Sequence, residues 1–213
     1  MHYTEIDLET YPRKAHFKLF SSLADPTVGL TARVDVTDAV RFCRQKGCSF
    51  YTVFIHIAAL AANEVPELRR RVRNGGIIEY DLCATSHVEL TPSGAYGYCT
   101  LRHDMGWDEY LRYAAEERRK ALLEPTICED EDVDSYFFVT TVPWLSYDQV
   151  TMPYSGASNP NICWGKFEPD AQGRLMMPLT LNANHALADG KHIADFFENI
   201  RRQLAALKEV SSC

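Results

Sequence analysis

Asn184-His185-Ala186-Leu187-Ala188-Asp189-Gly190 joins two different periodicities. Before it, Leu175 to Leu181 is an alternating apolar run. After it, an amphipathic helical pattern starts near Lys191. The spacing predicts a strand, a turn carrying His185, and a helix. A turn held between rigid elements can present a side chain to a substrate. An imidazole there can act as a general base near neutral pH. Asp189, four residues on, is placed to fix local geometry, and Gly190 permits a tight turn into the helix. The spacing alone is equally met by a hydrogen-bonded turn histidine with Asp189 capping the last helix.

Other blocks add to this one. Tyr11-Pro12-Arg13-Lys14-Ala15-His16-Phe17 lies near the start, followed by Phe50-Tyr51-Thr52-Val53-Phe54-Ile55-His56-Ile57 and Pro66-Glu67-Leu68-Arg69. Pro143-Trp144-Leu145-Ser146-Tyr147-Asp148, Trp164-Gly165-Lys166-Phe167 and Met177-Pro178-Leu179 come later. With His-x-x-x-Asp-Gly, these blocks resemble, in order and spacing, the chloramphenicol acetyltransferase family of CoA-dependent acyltransferases.

The resemblance implies an α/β two-layer sandwich: a mixed β-sheet with helices on one face. It implies a homotrimer in which a strand of one subunit extends its neighbour's sheet and the active sites lie between subunits. It implies acetyl-CoA as co-substrate, a small-molecule acceptor, direct transfer without an acyl-enzyme, and a role in antibiotic resistance. His185 would be the base. Asp189 would pair with Arg13 to hold the catalytic turn. Lys166 would lie near the phosphates of CoA and Tyr51 at the CoA channel. The acceptor pocket would include Leu19, Phe20, Tyr96 and Tyr98.

Some positions depart from the family. Gln149 stands where a serine hydroxyl stabilises the oxyanion; its amide can donate N–H but reaches farther. Cys163 replaces a threonine that assists transition-state binding, and a thiol is a weak donor. Ser49 replaces a basic residue before Phe50, and Tyr98 replaces a small one. These changes keep open a different hydroxyl or amine acceptor, or a binding protein without turnover. Dihydrolipoyl acyltransferases share the His motif, but this chain lacks their lipoyl and subunit-binding segments.

Composition agrees with an enzyme of this kind. The 213 residues are 46% hydrophobic, carry a net charge of −7, and show neither linker nor internal repeat, so one domain spanning residues 1–213 is expected. The negative charge argues against a general nucleic-acid binder. His2 to Glu9 is polar and alternating, unlike a signal peptide, and no apolar run approaches the ~20 residues of a membrane helix. A cytoplasmic protein is expected. The seven cysteines are scattered without a Cys-x-x-Cys pair, which predicts buried reduced thiols. His185, Asp189 and His192 do not match zinc spacings, so no metal is expected. Cys163 has no evident activating neighbour and reads as a core thiol.

Along the chain, strands are predicted at His2–Leu8, Thr31–Val36, Ser86–Leu90, Ala95–Leu101, Tyr136–Thr141, Asn161–Phe167 and Arg174–Asn182. A hairpin is predicted around Asn74-Gly75-Gly76. Helices are predicted at Tyr11–Leu23, at Thr37–Lys46 with Thr37 as N-cap and Gly47 as stop, at Phe50–Asn63, Trp107–Leu123 and Lys191–Leu207.

Overall fold

The computed structural model describes residues 1–92, 94–127, 132–153 and 155–210. Six strands form the main sheet in the order β2 (Thr27–Asp35), β10 (Leu175–Asn184), β8 (Asn161–Gly165), β7 (Tyr136–Val142), β5 (Ala84–Leu90) and β6 (Tyr96–Leu101). A short strand, β9 (Glu168–Pro169), pairs with β10. β5, β7 and β8 are mutually parallel, whereas β10 runs antiparallel to β2 and β8. The sheet is therefore mixed. A second sheet joins β1 (Tyr3–Ile6), β4 (Gly76–Tyr80) and β3 (Arg70–Arg73), the last two forming the predicted hairpin.

Helices α2 (Thr37–Lys46), α3 (Phe50–Asn63), α5 (Trp107–Leu123) and α6 (Gly190–Val210) share one core with the main sheet. α3 is apolar on nearly all sides, and ten of its residues are buried. The opposite sheet face leaves Val88, Leu90 and Tyr96 exposed. A smaller cluster packs Phe17 of α1 (Lys14–Phe20) and Tyr11 against Ala186 and Leu187 of the His185 turn. A single-turn helix, α4 (Pro66–Arg69), precedes β3.

Two predicted details change. The first helix is short: Pro12 lies ahead of it in a turn closed by the Lys14 N–H to the Tyr11 carbonyl, and Arg13 is its N-cap. Thr37 is the first helical residue of α2, not its cap. Its N–H and hydroxyl both donate to Asp35 Oδ1, while its oxygen accepts from the Leu175 N–H, tying α2 to β10. Of the cysteines, Cys43, Cys83, Cys99 and Cys163 are buried and Cys48 is half-buried, all unpaired. Cys128 and Cys213 lie outside the described residues.

Candidate active site

β10 is the antiparallel partner of both β2 and β8, and its residues from Met177 to Ala183 are buried. It delivers His185 into a turn held by backbone bonds. The His185 N–H donates to the Pro26 carbonyl at 2.7 Å, and the Leu187 and Ala188 N–H groups both donate to the Asn184 carbonyl at 2.9 Å. The imidazole is fixed on two sides. Its Nδ1 lies 3.0 Å from the Ala188 carbonyl oxygen. A carbonyl only accepts, so the neutral ring carries its proton on Nδ1 and keeps a lone pair on Nε2. Phe20 stacks on the ring, with centroids 3.8 Å apart and planes 14° from parallel.

Arg13 and Asp189 meet beneath this turn. Arg13 Nη2 is 3.4 Å from Asp189 Oδ2, and Nη1 donates to the Leu187 carbonyl at 2.9 Å. His192 Nδ1 closes the cluster, 3.2 Å from Arg13 Nη1 and 3.0 Å from Asp189 Oδ1. Asp189 also accepts the Lys191 N–H at 3.0 Å, in the first turn of α6. Burial opposes charge on Asp189, but His192, the Lys191 N–H and Arg13 outweigh it and hold the carboxyl below its usual range.

Tyr51 and Lys166 line one cleft of about 740 Å³, walled largely by Phe50, Trp144, Trp164 and Phe167. The fit of the loop at its edge depends on Gly165. A Cβ there would meet the Leu145 carbonyl oxygen at 2.6 Å and the Tyr147 ring at 2.9 Å. Lys166 is half exposed, with its ammonium 3.9 Å from Glu168. Glu89 and Arg118 also line this cleft. Arg118 grips both carboxylate oxygens of Glu89, donates to Thr52 Oγ1 at 2.7 Å, and lies 5.0 Å over the Tyr51 ring. His87 Nε2 lies 3.2 Å from Glu89 Oε1. Burial opposes charge on Glu89, yet its bonds to His87 and Arg118 hold the carboxyl low.

Sequence reasoning missed this network, although two signals mark it. Arg118 falls four residues after Ala114 on the buried stripe of α5. On β5 the usual polarity is inverted: His87 and Glu89 are buried while Val88 and Leu90 are exposed.

Gln149 is exposed and lines a second cleft, of about 470 Å³, with Thr27, Thr31, Thr180 and Asn182. No contact joins it to His185 among the described residues. Cys163 is fully buried and lines neither cleft; burial pushes its thiol up. Of the expected acceptor residues, the structure brings only Phe20 to His185. Leu19 is exposed on α1. Tyr96 and Tyr98 lie on β6, four strands from β10, which at ~4.8 Å per strand is roughly 19 Å away.

Comparison with known proteins completes the picture. A model of the chloramphenicol acetyltransferase family matches residues 1–201. A chloramphenicol acetyltransferase of Proteus mirabilis is 25% identical over 203 residues, covering 92% of both chains. One from Escherichia coli is 26% identical over 217 residues, covering 94% of this chain and 93% of its own. A solved chloramphenicol acetyltransferase superposes with a TM-score of 0.82 at 23% identity, over 95% of this chain and all of that one. Mixed sheet, helical layer and relatives together define an acyltransferase. The chain belongs to the chloramphenicol acetyltransferase family.

Proposed function

We propose that this single-domain chain transfers acetyl from acetyl-CoA to a hydroxyl of a small molecule, with His185 as general base. One observation carries the reading: the proton on His185 Nδ1 is committed to the Ala188 carbonyl, which leaves Nε2 as the basic atom. Nε2 takes the acceptor's O–H proton as the oxygen attacks the thioester carbonyl. The tetrahedral intermediate collapses, the C–S bond breaks, and the thiolate recovers the proton from Nε2. The products are an O-acetyl ester and free CoA thiol. Phe20 holds the ring against rotation, and Arg13 with Asp189 holds the turn.

In this reading the Tyr51–Lys166 cleft receives CoA. Its aromatic walls suit the pantetheine arm, and Lys166 stands at an exposed position suited to phosphate. Gln149 is the candidate oxyanion donor. The relatives' name supports chloramphenicol as one acceptor and resistance to that antibiotic as one outcome. The working unit is a homotrimer of roughly 70 kDa. It is supported by β2, an outer strand of nine residues paired on one side only among the described residues, and by the distance of Tyr96 and Tyr98 from their own chain's His185. No described helix is long and apolar enough to cross a membrane, and the proposed location is the cytoplasm. The test is thiol release from acetyl-CoA in the presence of chloramphenicol and other hydroxylated compounds. Acceptor-dependent release is expected, and none with any acceptor would contradict the reading.

A further inference from the structure

The cleft that holds Gln149 is polar, and its hydroxyls are oriented. The Tyr147 hydroxyl lies 2.9 Å from the Cys163 carbonyl oxygen, which can only accept, so Tyr147 donates there. The Tyr147 oxygen then accepts from the Thr180 hydroxyl at 3.2 Å. Thr180 has spent its one proton, so at 2.7 Å it accepts from Thr31. Thr31 has in turn spent its own proton inward. It keeps lone pairs at the wall of the cleft and can only accept from a ligand.

Donors lie nearby. Asn182 also lines the cleft, is 8% exposed, and has no partner for Nδ2 among the described residues. Its side chain lies across Gly29, where a Cβ would meet Asn182 Oδ1 at 2.0 Å. Gln149 adds an amide NH₂ with two N–H donors and a carbonyl acceptor. The cleft also reaches the catalytic turn. Thr27 lines it and pairs with Asn184, and the neighbouring Pro26 carbonyl binds the His185 N–H.

A hydroxyl both donates and accepts, so neighbouring hydroxyls match this mixed lining. An apolar ring would strand these polar groups, weakening binding by roughly tenfold or more for each one left unpaired. We propose that this cleft is the acceptor subsite and that the acceptor is a polyhydroxylated small molecule, a sugar or cyclitol, read by Thr31, Asn182 and Gln149. The inference rests on the acetyl-transfer reading for its chemistry; its recognition element is tested separately.

Saturation-transfer NMR without acetyl-CoA would probe a panel of hexoses and cyclitols, with and without amino groups, on wild type, Thr31→Val and Thr31→Ser. Thiol release would then give kcat/KM for the same compounds and for chloramphenicol. We expect saturation transfer to at least one polyol and a higher kcat/KM for it than for chloramphenicol. Thr31→Val should lower that kcat/KM about tenfold or more with acetyl-CoA KM unchanged, and Thr31→Ser should restore it. Saturation transfer to no polyol would overturn the proposal. So would preference for chloramphenicol with indifference to Thr31→Val. Polyol binding without thiol release from any acceptor would overturn acetyl transfer and leave the polyol site standing.

Discussion

Phe20 and His185 lie face to face, 3.8 Å between ring centroids. The contact links the last residue of α1 to the turn after β10. It removes one direction in which the imidazole could swing, while the Ala188 carbonyl removes another. Phe20→Ala should therefore lower kcat by about 10-fold, the upper range for an aromatic pair, and leave acetyl-CoA KM within about two-fold. Steady-state kinetics decide it, and an unchanged kcat would show that Phe20 does not hold the ring.

Arg13→Ala should destabilise the fold and slow the reaction. It leaves the Leu187 carbonyl and Asp189 without their guanidinium partner. Asp189 is more than a third exposed, so the expected loss is roughly 1–2 kcal/mol, between surface and buried pairs. Arg13→Val combined with Asp189→Asn should recover part of the melting temperature but not the rate. Unchanged melting temperature and rate in Arg13→Ala would refute the pairing.

His56 and His103 form a buried pair with their Nδ1 atoms 3.0 Å apart, and His56 stacks on Tyr110. Burial lowers the His56 pKa to about 4 and pushes His103 well down. The unfolded chain takes up these protons near pH 6.5, before the folded chain does. Stability from the neutral pair is therefore complete above about pH 6.5 and lost as pH falls toward 4. For His56 alone the loss is on the order of 3 kcal/mol. Glu89 and Asp189, both held low, add a loss in the same direction at lower pH. Thermal melts should show a falling melting temperature from pH 7 to 5; a flat profile would contradict the neutral buried pair.

Gln149→Ala should reduce turnover by about 10²-fold with little change in acetyl-CoA affinity, as for loss of an oxyanion donor. Gln149→Ser separates this from simple space filling. If a Ser variant turns over chloramphenicol faster than wild type, the glutamine is no oxyanion donor.

Legibility in the sequence differed by element for physical reasons. α3 and α5 have their predicted bounds because each carries a sustained helical pattern ended by polar or turn-forming residues. β2 begins earlier than its sequence pattern indicates because Gly29, a poor strand former, breaks the alternation after Thr27 and Val28; pairing of these residues with Asn182, Ala183 and Asn184 makes them strand. Arg13, Asp189 and Phe20 were legible through family motifs, and the structure brings them round His185. The Glu89–Arg118 and His56–His103 pairs were not, since each joins residues on separate elements and no local spacing encodes them. Tyr96 and Tyr98 show the converse: the resemblance implies that they line the acceptor pocket, whereas the chain places them four strands from β10.

The proposed base is Nε2 of His185, which would remove the acceptor proton. Thiol release by His185→Ala, measured beside wild type with saturating acetyl-CoA and one productive acceptor, tests it most directly. The expected result is a fall in kcat of about 100-fold or more, with CoA binding and melting temperature close to wild type. Activity within a few-fold of wild type would remove His185 from the chemistry.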